Sequence, residues 1–184
     1  MKLLPTILIV SVILIAGCTS QTQSSGGYSS LQNVPATNEG QLAPPGNAVG
    51  DKAPDFNLTT TDGRTLRLSE LKGKPVVLYF MATWCPFCKE EYGEISKAYP
   101  QYGYKVDLVS VSLDLNENAA VLEKYRVDNN RPGMFAPGNQ HVLENYNVLY
   151  TTTKYAIGKN GVIVYKRVGE MDAGSWKTML EALS

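Results

Sequence analysis

Two of the three cysteines in this 184-residue chain, Cys85 and Cys88, stand two residues apart around Pro86-Phe87, where an apolar run meets a charged one. Thiols at that spacing suit disulfide exchange. A thiolate attacks a disulfide sulfur to form a mixed disulfide, and a second thiol within reach then expels the product and closes the ring. Cys85 is the expected nucleophile and Cys88 the resolving thiol. The competing chemistry is half of a zinc site. Zinc takes four ligands, and the chain offers one histidine and no second cysteine pair.

The flanking residues indicate what positions the pair. Pro75 to Ala82 is a short run of apolar, β-branched and aromatic residues after Gly73-Lys74, the pattern of a buried strand, with Tyr79 and Phe80 in its core. Lys89 to Tyr99 is polar with apolar residues at helical spacing. The motif is therefore a strand-to-helix turn. Pro86 falls in the first helical turn, where its missing N–H removes a donor that would have had no partner. Unpaired N–H groups and the positive end of the helix dipole favour a thiolate at Cys85. Trp84 and Phe87 flank the dithiol as an apolar rim, with plain packing as the alternative.

Composition suits one globular domain with an appendage: 43% of residues are hydrophobic and 18% charged, and 17 basic residues balance 17 acidic ones. No basic stripe able to neutralise phosphates is present, so nucleic acid is not an expected partner. Asp55 to Leu58 and Thr65 to Leu68 alternate around Thr61-Asp62-Gly63-Arg64 as a hairpin. Ser69 to Gly73 reads as one helical turn. Lys105 to Leu113 is a strand, Asn116 to Arg126 a helix, Arg131 to Gly138 a possible short strand and Gln140 to Tyr146 a further turn or two of helix. Thr152 to Ile157 and Val162 to Gly169 form a second hairpin through Gly158-Lys159-Asn160-Gly161. Asp172 to Leu183 closes the chain as a helix with Trp176, Met179, Leu180 and Leu183 on one face. This order implies a central mixed sheet with parallel strands at its heart, an antiparallel hairpin on one side, helices on both faces and an N-terminal β-hairpin extension.

Residues 1–18 carry a targeting pattern. Lys2 precedes a stretch from Leu3 to Ile15 that is apolar apart from Thr6 and Ser11, and Ala16-Gly17 puts small residues before Cys18. The segment resembles the lipobox of prokaryotic lipoproteins, which implies cleavage before Cys18 and a lipid on its sulfur. The alternative is an uncleaved anchor with an incidental cysteine. A chain starting at Cys18 loses only Lys2 among its charges and carries 16 basic against 17 acidic residues. Residues 19–47 are rich in Thr, Ser, Gln, Gly, Asn and Pro and bury too little surface to offset the entropy of ordering, so they read as a flexible tether. The folded domain is expected over residues 48–184, outside the cytoplasmic membrane.

Four stretches in order, Val49 to Phe56, Leu68 to Leu78, Trp84 to Glu91 and Tyr146-Asn147-Val148 leading to Gly161, together resemble the membrane-anchored thioredoxin-like oxidoreductases of the TlpA/ResA type, within the broader grouping that also holds peroxiredoxins. The resemblance implies a thioredoxin-like α/β fold and a thiol–disulfide oxidoreductase acting on protein thiols and disulfides as a reductant. It further implies an upstream electron donor in the membrane, a monomer and no cofactor. It also implies a carboxylate beneath the dithiol that handles protons, at Glu91. A carboxyl in an apolar pocket has a raised pKa and can titrate near the working pH, whereas the bland alternative makes Glu91 part of a solvated helix face.

One departure stands out. The family's cis-proline opposite the dithiol is replaced by Thr152, for which a trans bond is expected. Trp84, Pro86, Phe87, Thr151 and Thr152 are the expected substrate contacts, although Thr151 also fits as a plain strand residue. With the proline gone, metal or iron–sulfur binding is one alternative function. Thiol peroxidase is another, against the absence of a Pro-x-x-x-Thr-x-x-Cys pocket, since Thr83 stands only two residues before Cys85. His141 has no cysteine-rich neighbourhood.

Overall fold

The computed structural model describes residues 45–71 and 73–184. The targeting segment, Cys18 and most of the expected tether lie outside the described residues. The chain order is β1 (Asn57–Thr59), β2 (Thr65–Arg67), β3 (Val76–Met81), α1 (Pro86–Ala98), β4 (Asp107–Ser112), α2 (Ala119–Asp128), β5 (Met134–Pro137), α3 (Gln140–Asn145), β6 (Thr153–Ile157), β7 (Ile163–Arg167) and α4 (Ala173–Leu183). A 3-10 turn over Leu68–Glu70 occupies the place of the expected single helical turn. Strands β1 and β2 form the antiparallel N-terminal hairpin. The remaining five make one sheet in the order β5-β4-β3-β6-β7, parallel across β3, β4 and β5 and antiparallel across β6 and β7. Among the described residues no helix is long and apolar enough to cross a membrane.

Strand β3 lies in the middle of this sheet and all six of its residues are buried. Because side chains alternate across a strand, Val77, Tyr79 and Met81 enter the layer under α1, α2 and α4, while Val76, Leu78 and Phe80 enter the layer shared with α3 and the N-terminal hairpin. The first layer joins Tyr92 and Ile95 of α1 to Trp176, Met179, Leu180 and Leu183 of α4, the four residues expected on one helical face. In the β6–β7 hairpin, Gly161 takes φ +80°, a conformation glycine adopts without steric cost.

The boundary expected at residue 48 falls inside the ordered domain. Gly46 donates its N–H to the Lys52 carbonyl at 3.0 Å, and Lys166 Nζ donates to the Asn47 carbonyl at 3.1 Å. Small polar residues suggested a solvated tether there, and backbone hydrogen bonds to the domain dock it instead.

Candidate active site

Helix α1 begins one residue after Cys85, with Pro86 in its first turn. The other three α-helices are capped by Asn118, Asn139 and Asp172, whose side chains accept from backbone N–H groups three residues on. In α1 the capping acceptor is sulfur: the Cys88 N–H donates to Cys85 Sγ at 3.1 Å. This is the N-cap geometry with a nucleophile in the place of an oxygen. Both cysteines are free thiols and both are buried, Cys88 completely. Burial, followed by the neighbouring Cys85 thiol, pushes the Cys88 thiol up to about 12.

Beneath the pair, Glu91 is 1% exposed and Lys154 is 0% exposed. Lys154 Nζ donates to Glu91 Oε1 at 2.5 Å and to the Gly169 carbonyl at 2.6 Å. The same Oε1 accepts from the Met171 N–H at 3.0 Å and from Trp176 Nε1 at 3.1 Å. Glu91 Oε2 has no hydrogen-bond partner among the described residues. Burial pushes the Glu91 carboxyl up, against the pull of the Lys154 ammonium. Burial also pushes Lys154 down, against the pull of Glu91. The helix face that looked solvated is divided: Lys89 and Glu90 are exposed, while Glu91 turns inward.

Above the pair, the Cys85 thiol donates to the Thr151 hydroxyl across 3.4 Å. Thr152 is buried with φ +58°, and its hydroxyl turns back to the Thr151 carbonyl at 2.6 Å. The hydroxyl that reaches the nucleophile is thus that of Thr151, and all peptide bonds among the described residues are trans. Trp84, Phe87, Leu149 and Tyr150 are each more than half exposed, and Pro86 is exposed beside them. Trp84 Nε1 donates to Asp114 Oδ2 at 2.8 Å, which holds the indole outward.

A buried carboxylate holds the approach to the dithiol. Glu117 accepts from the Thr83 N–H at 2.9 Å, from the Thr83 hydroxyl and from Ser112 Oγ at 2.6 Å. It thereby ties the residue two before Cys85 to the end of β4. His141 is exposed on α3 and hydrogen-bonded to the Asn145 amide. Among the described residues, no three of His, Cys, Asp and Glu are grouped as metal ligands.

Sequence reasoning missed Lys154 and Glu117. Lys154 sits in the middle of an otherwise apolar strand, and a charge in such a place is a signal for a buried partner. Glu117 follows Asp114-Leu115-Asn116 in what reads as solvated loop, and nothing local marks it.

A free dithiol at a helix start, above a buried carboxylate and on a five-stranded mixed sheet, defines the class as a thioredoxin-fold oxidoreductase. The AhpC/TSA family profile matches residues 49–166, and the chain belongs to that family. It is 34% identical over 140 residues to the thiol-disulfide oxidoreductase ResA of Geobacillus kaustophilus, covering 74% of this chain and 78% of the relative. ResA of a Bacillus cereus strain is 32% identical over 123 residues, covering 66% of this chain and 70% of the relative. Among solved structures, a thiol:disulfide interchange protein of the thioredoxin family from Chlorobium tepidum superposes with a TM-score of 0.64 at 20% identity, covering 72% of this chain and 94% of that one, a likeness of fold. The chain is a thiol–disulfide oxidoreductase.

Proposed function

We propose that the protein is a lipid-anchored, extracytoplasmic reductant of protein disulfides. Cys85 attacks a substrate disulfide, forming a Cys85–substrate mixed disulfide and releasing the first substrate thiolate, which takes a proton from solvent. Cys88 then loses its proton and attacks Cys85 Sγ. That step forms the Cys85–Cys88 disulfide and releases the second substrate thiolate, so the substrate gains two electrons and the dithiol loses them. A membrane dithiol donor restores the pair.

The observation that carries this reading is Cys85 at the cap of α1, accepting from the Cys88 N–H, with Glu91 buried below. Glu91 serves as the proton acceptor because its apolar, desolvated place raises its affinity for a proton. Trp84, Pro86 and Phe87, with Thr151 and Thr152 across from them, form the surface that receives the substrate peptide; the large exposed apolar area of Trp84 and Phe87 supports this. The lipid at Cys18 and the tether place the domain at the outer membrane face, on the strength of the small-residue run before Cys18.

The test is trapping. Cys88→Ala should accumulate mixed disulfides with extracytoplasmic proteins through Cys85, and the wild-type pair should equilibrate with glutathione at a defined, reducing potential. Failure to trap any partner, or an oxidising potential, defeats the reductant reading. Metabolic labelling with a fatty acid that is lost in Cys18→Ser tests the anchor separately.

A further inference from the structure

Two polar atoms in the core of the site have no hydrogen-bond partner, Tyr79 Oη and Glu91 Oε2. Both belong to side chains shut off from solvent. A buried polar group without a partner carries a desolvation cost, and in a functional site it marks a place where a bond forms transiently. The Tyr79 hydroxyl is the group that interacts with the Cys88 thiol on one side and with the Glu91 carboxyl on the other.

The geometry leaves Tyr79 little freedom. Its ring meets Tyr92 edge-on at 5.4 Å and Trp176 edge-on at 6.0 Å, and Lys154 Nζ lies 5.6 Å from its centroid. Glu91 Oε1 is occupied by Lys154, Met171 and Trp176, so the oxygen left to take a proton is Oε2. Cys88 and Glu91 are both closed to water, so a proton leaving the thiol needs a carrier inside the protein. A phenol both accepts and donates, as such a carrier must.

We propose that the Tyr79 hydroxyl bridges the resolving step, accepting the proton of the Cys88 thiol while passing its own to Glu91 Oε2. The proposal rests on the dithiol-exchange reading. In the step, the Cys88 S–H bond breaks and a Glu91 O–H bond forms, with Tyr79 neutral before and after. The Cys88 thiolate then displaces the substrate sulfur from Cys85, and both electrons of the new disulfide bond come from the two cysteines. The charged and titratable groups facing this path are Cys85 and Tyr92 on α1, Lys154 on β6, Arg167 on β7 acting on Lys154, and Arg131 over the Tyr92 ring. Tyr79 is thereby a proton-handling residue whose loss spares the first attack and slows the second.

Mixing the reduced full chain with dithiobis(nitrobenzoate) separates the two steps, because the first aromatic thiolate leaves when Cys85 attacks and the second when Cys88 resolves. In Tyr79→Phe, which keeps the ring and removes the hydroxyl, the first phase should stay within about twofold of wild type. The second should slow about a hundredfold at neutral pH and rise with hydroxide concentration. An unchanged second phase with an unchanged pH profile overturns the proposal. If Glu91→Gln alters that profile and Tyr79→Phe does not, Tyr79 is excluded while the exchange reading stands. If wild type shows no second phase, the exchange reading itself falls and the proposal with it. Should Tyr79→Phe fail to fold, a proton inventory of the wild-type second phase decides: curvature from two protons in flight is expected, and a straight line overturns the bridge.

Discussion

Glu91 Oε1 and Lys154 Nζ lie 2.5 Å apart with both side chains shielded completely from solvent, one on the helix that carries the dithiol and the other on the strand that follows Thr152. Taking two charges out of water costs several kcal/mol per ion, and mutual attraction repays this only when the remaining donors and acceptors are also satisfied. Here the Gly169 carbonyl, the Met171 N–H and Trp176 Nε1 supply those partners. The pair joins α1, β6, α4 and the loop after β7 at one point below the cysteines.

Removing one partner should therefore cost more than removing both. Lys154→Met leaves a carboxylate without its cation, and a loss of about 3–5 kcal/mol in urea unfolding at neutral pH is expected. The loss should be smaller at acid pH, where Glu91 is protonated and no charge is left unpaired. The double change Lys154→Met with Glu91→Gln should recover most of the loss. A double variant as unstable as Lys154→Met alone would mean that the lysine stem, and not the charge pairing, supports the fold.

The pH dependence of stability has a definite sign. Burial holds the Glu91 carboxyl above its ordinary value of 4.5, so the folded protein keeps this proton longer than the unfolded chain does. Stability then falls as pH rises, from 4.5 through the folded-state value, after being fully present below 4.5. Without the carboxylate, Lys154 is depressed further, and its contribution in Glu91→Gln rises with pH. Both effects act in one direction. The wild-type stability minus that of Glu91→Gln should decline steadily with pH above 4.5. Urea midpoints measured across the pH range check it, and a difference that grows with pH is the opposite of what this burial requires.

The legible parts of the molecule were those written in local pattern. The six-residue apolar run gave the central strand, Asp62-Gly63 and Asn160-Gly161 marked the two hairpins, and the Trp176, Met179, Leu180, Leu183 spacing defined the buried face of α4. Lys154 was not legible because its burial follows from strand order: β6 lies between β3 and β7, and pairing with Tyr79 in β3 brings its side chain under α1. Tyr79 was legible as core, but the direction of its hydroxyl depends on where α1 and α4 dock. Glu117 acquires meaning only through Thr83 and Ser112, which the fold brings together from sequence positions 34 and 5 residues away. Thr151 and Thr152 are adjacent in sequence and differ in backbone conformation, which alternation alone does not reveal.

Alkylation should distinguish the two cysteines sharply. Burial holds Cys88 near 12, and the thiolate is the reactive form, so at pH 8 only about one part in ten thousand of Cys88 is reactive. Brief treatment of the reduced protein with iodoacetamide should modify Cys85 alone, read as a single adduct by peptide mass spectrometry. Equal labelling of both cysteines in the folded protein would contradict the closed environment around Cys88.

Restoring the family's proline at Thr152 should not be a neutral exchange. Proline fixes φ near −65°, whereas Thr152 adopts +58°, so the substituted chain must rearrange the turn between Tyr150 and Thr153. That turn is tied down on both sides, by the Thr153 hydroxyl donating to the Tyr150 carbonyl at 2.7 Å and by the Cys85 thiol reaching Thr151 at 3.4 Å. Proline stabilises a protein only where the native dihedrals already suit it, and elsewhere it costs more than the ~1 kcal/mol it would otherwise contribute. Thr152→Pro should therefore lower stability by at least ~1 kcal/mol, and the rate of attack by Cys85 should change with it because Thr151 moves. Thr152→Asn is the control, since asparagine tolerates the left-handed region better than a β-branched residue, and it should match or exceed wild-type stability. If Thr152→Pro proves as stable as wild type with an unaltered Cys85 rate, the left-handed turn is not what holds Thr151 against the nucleophile.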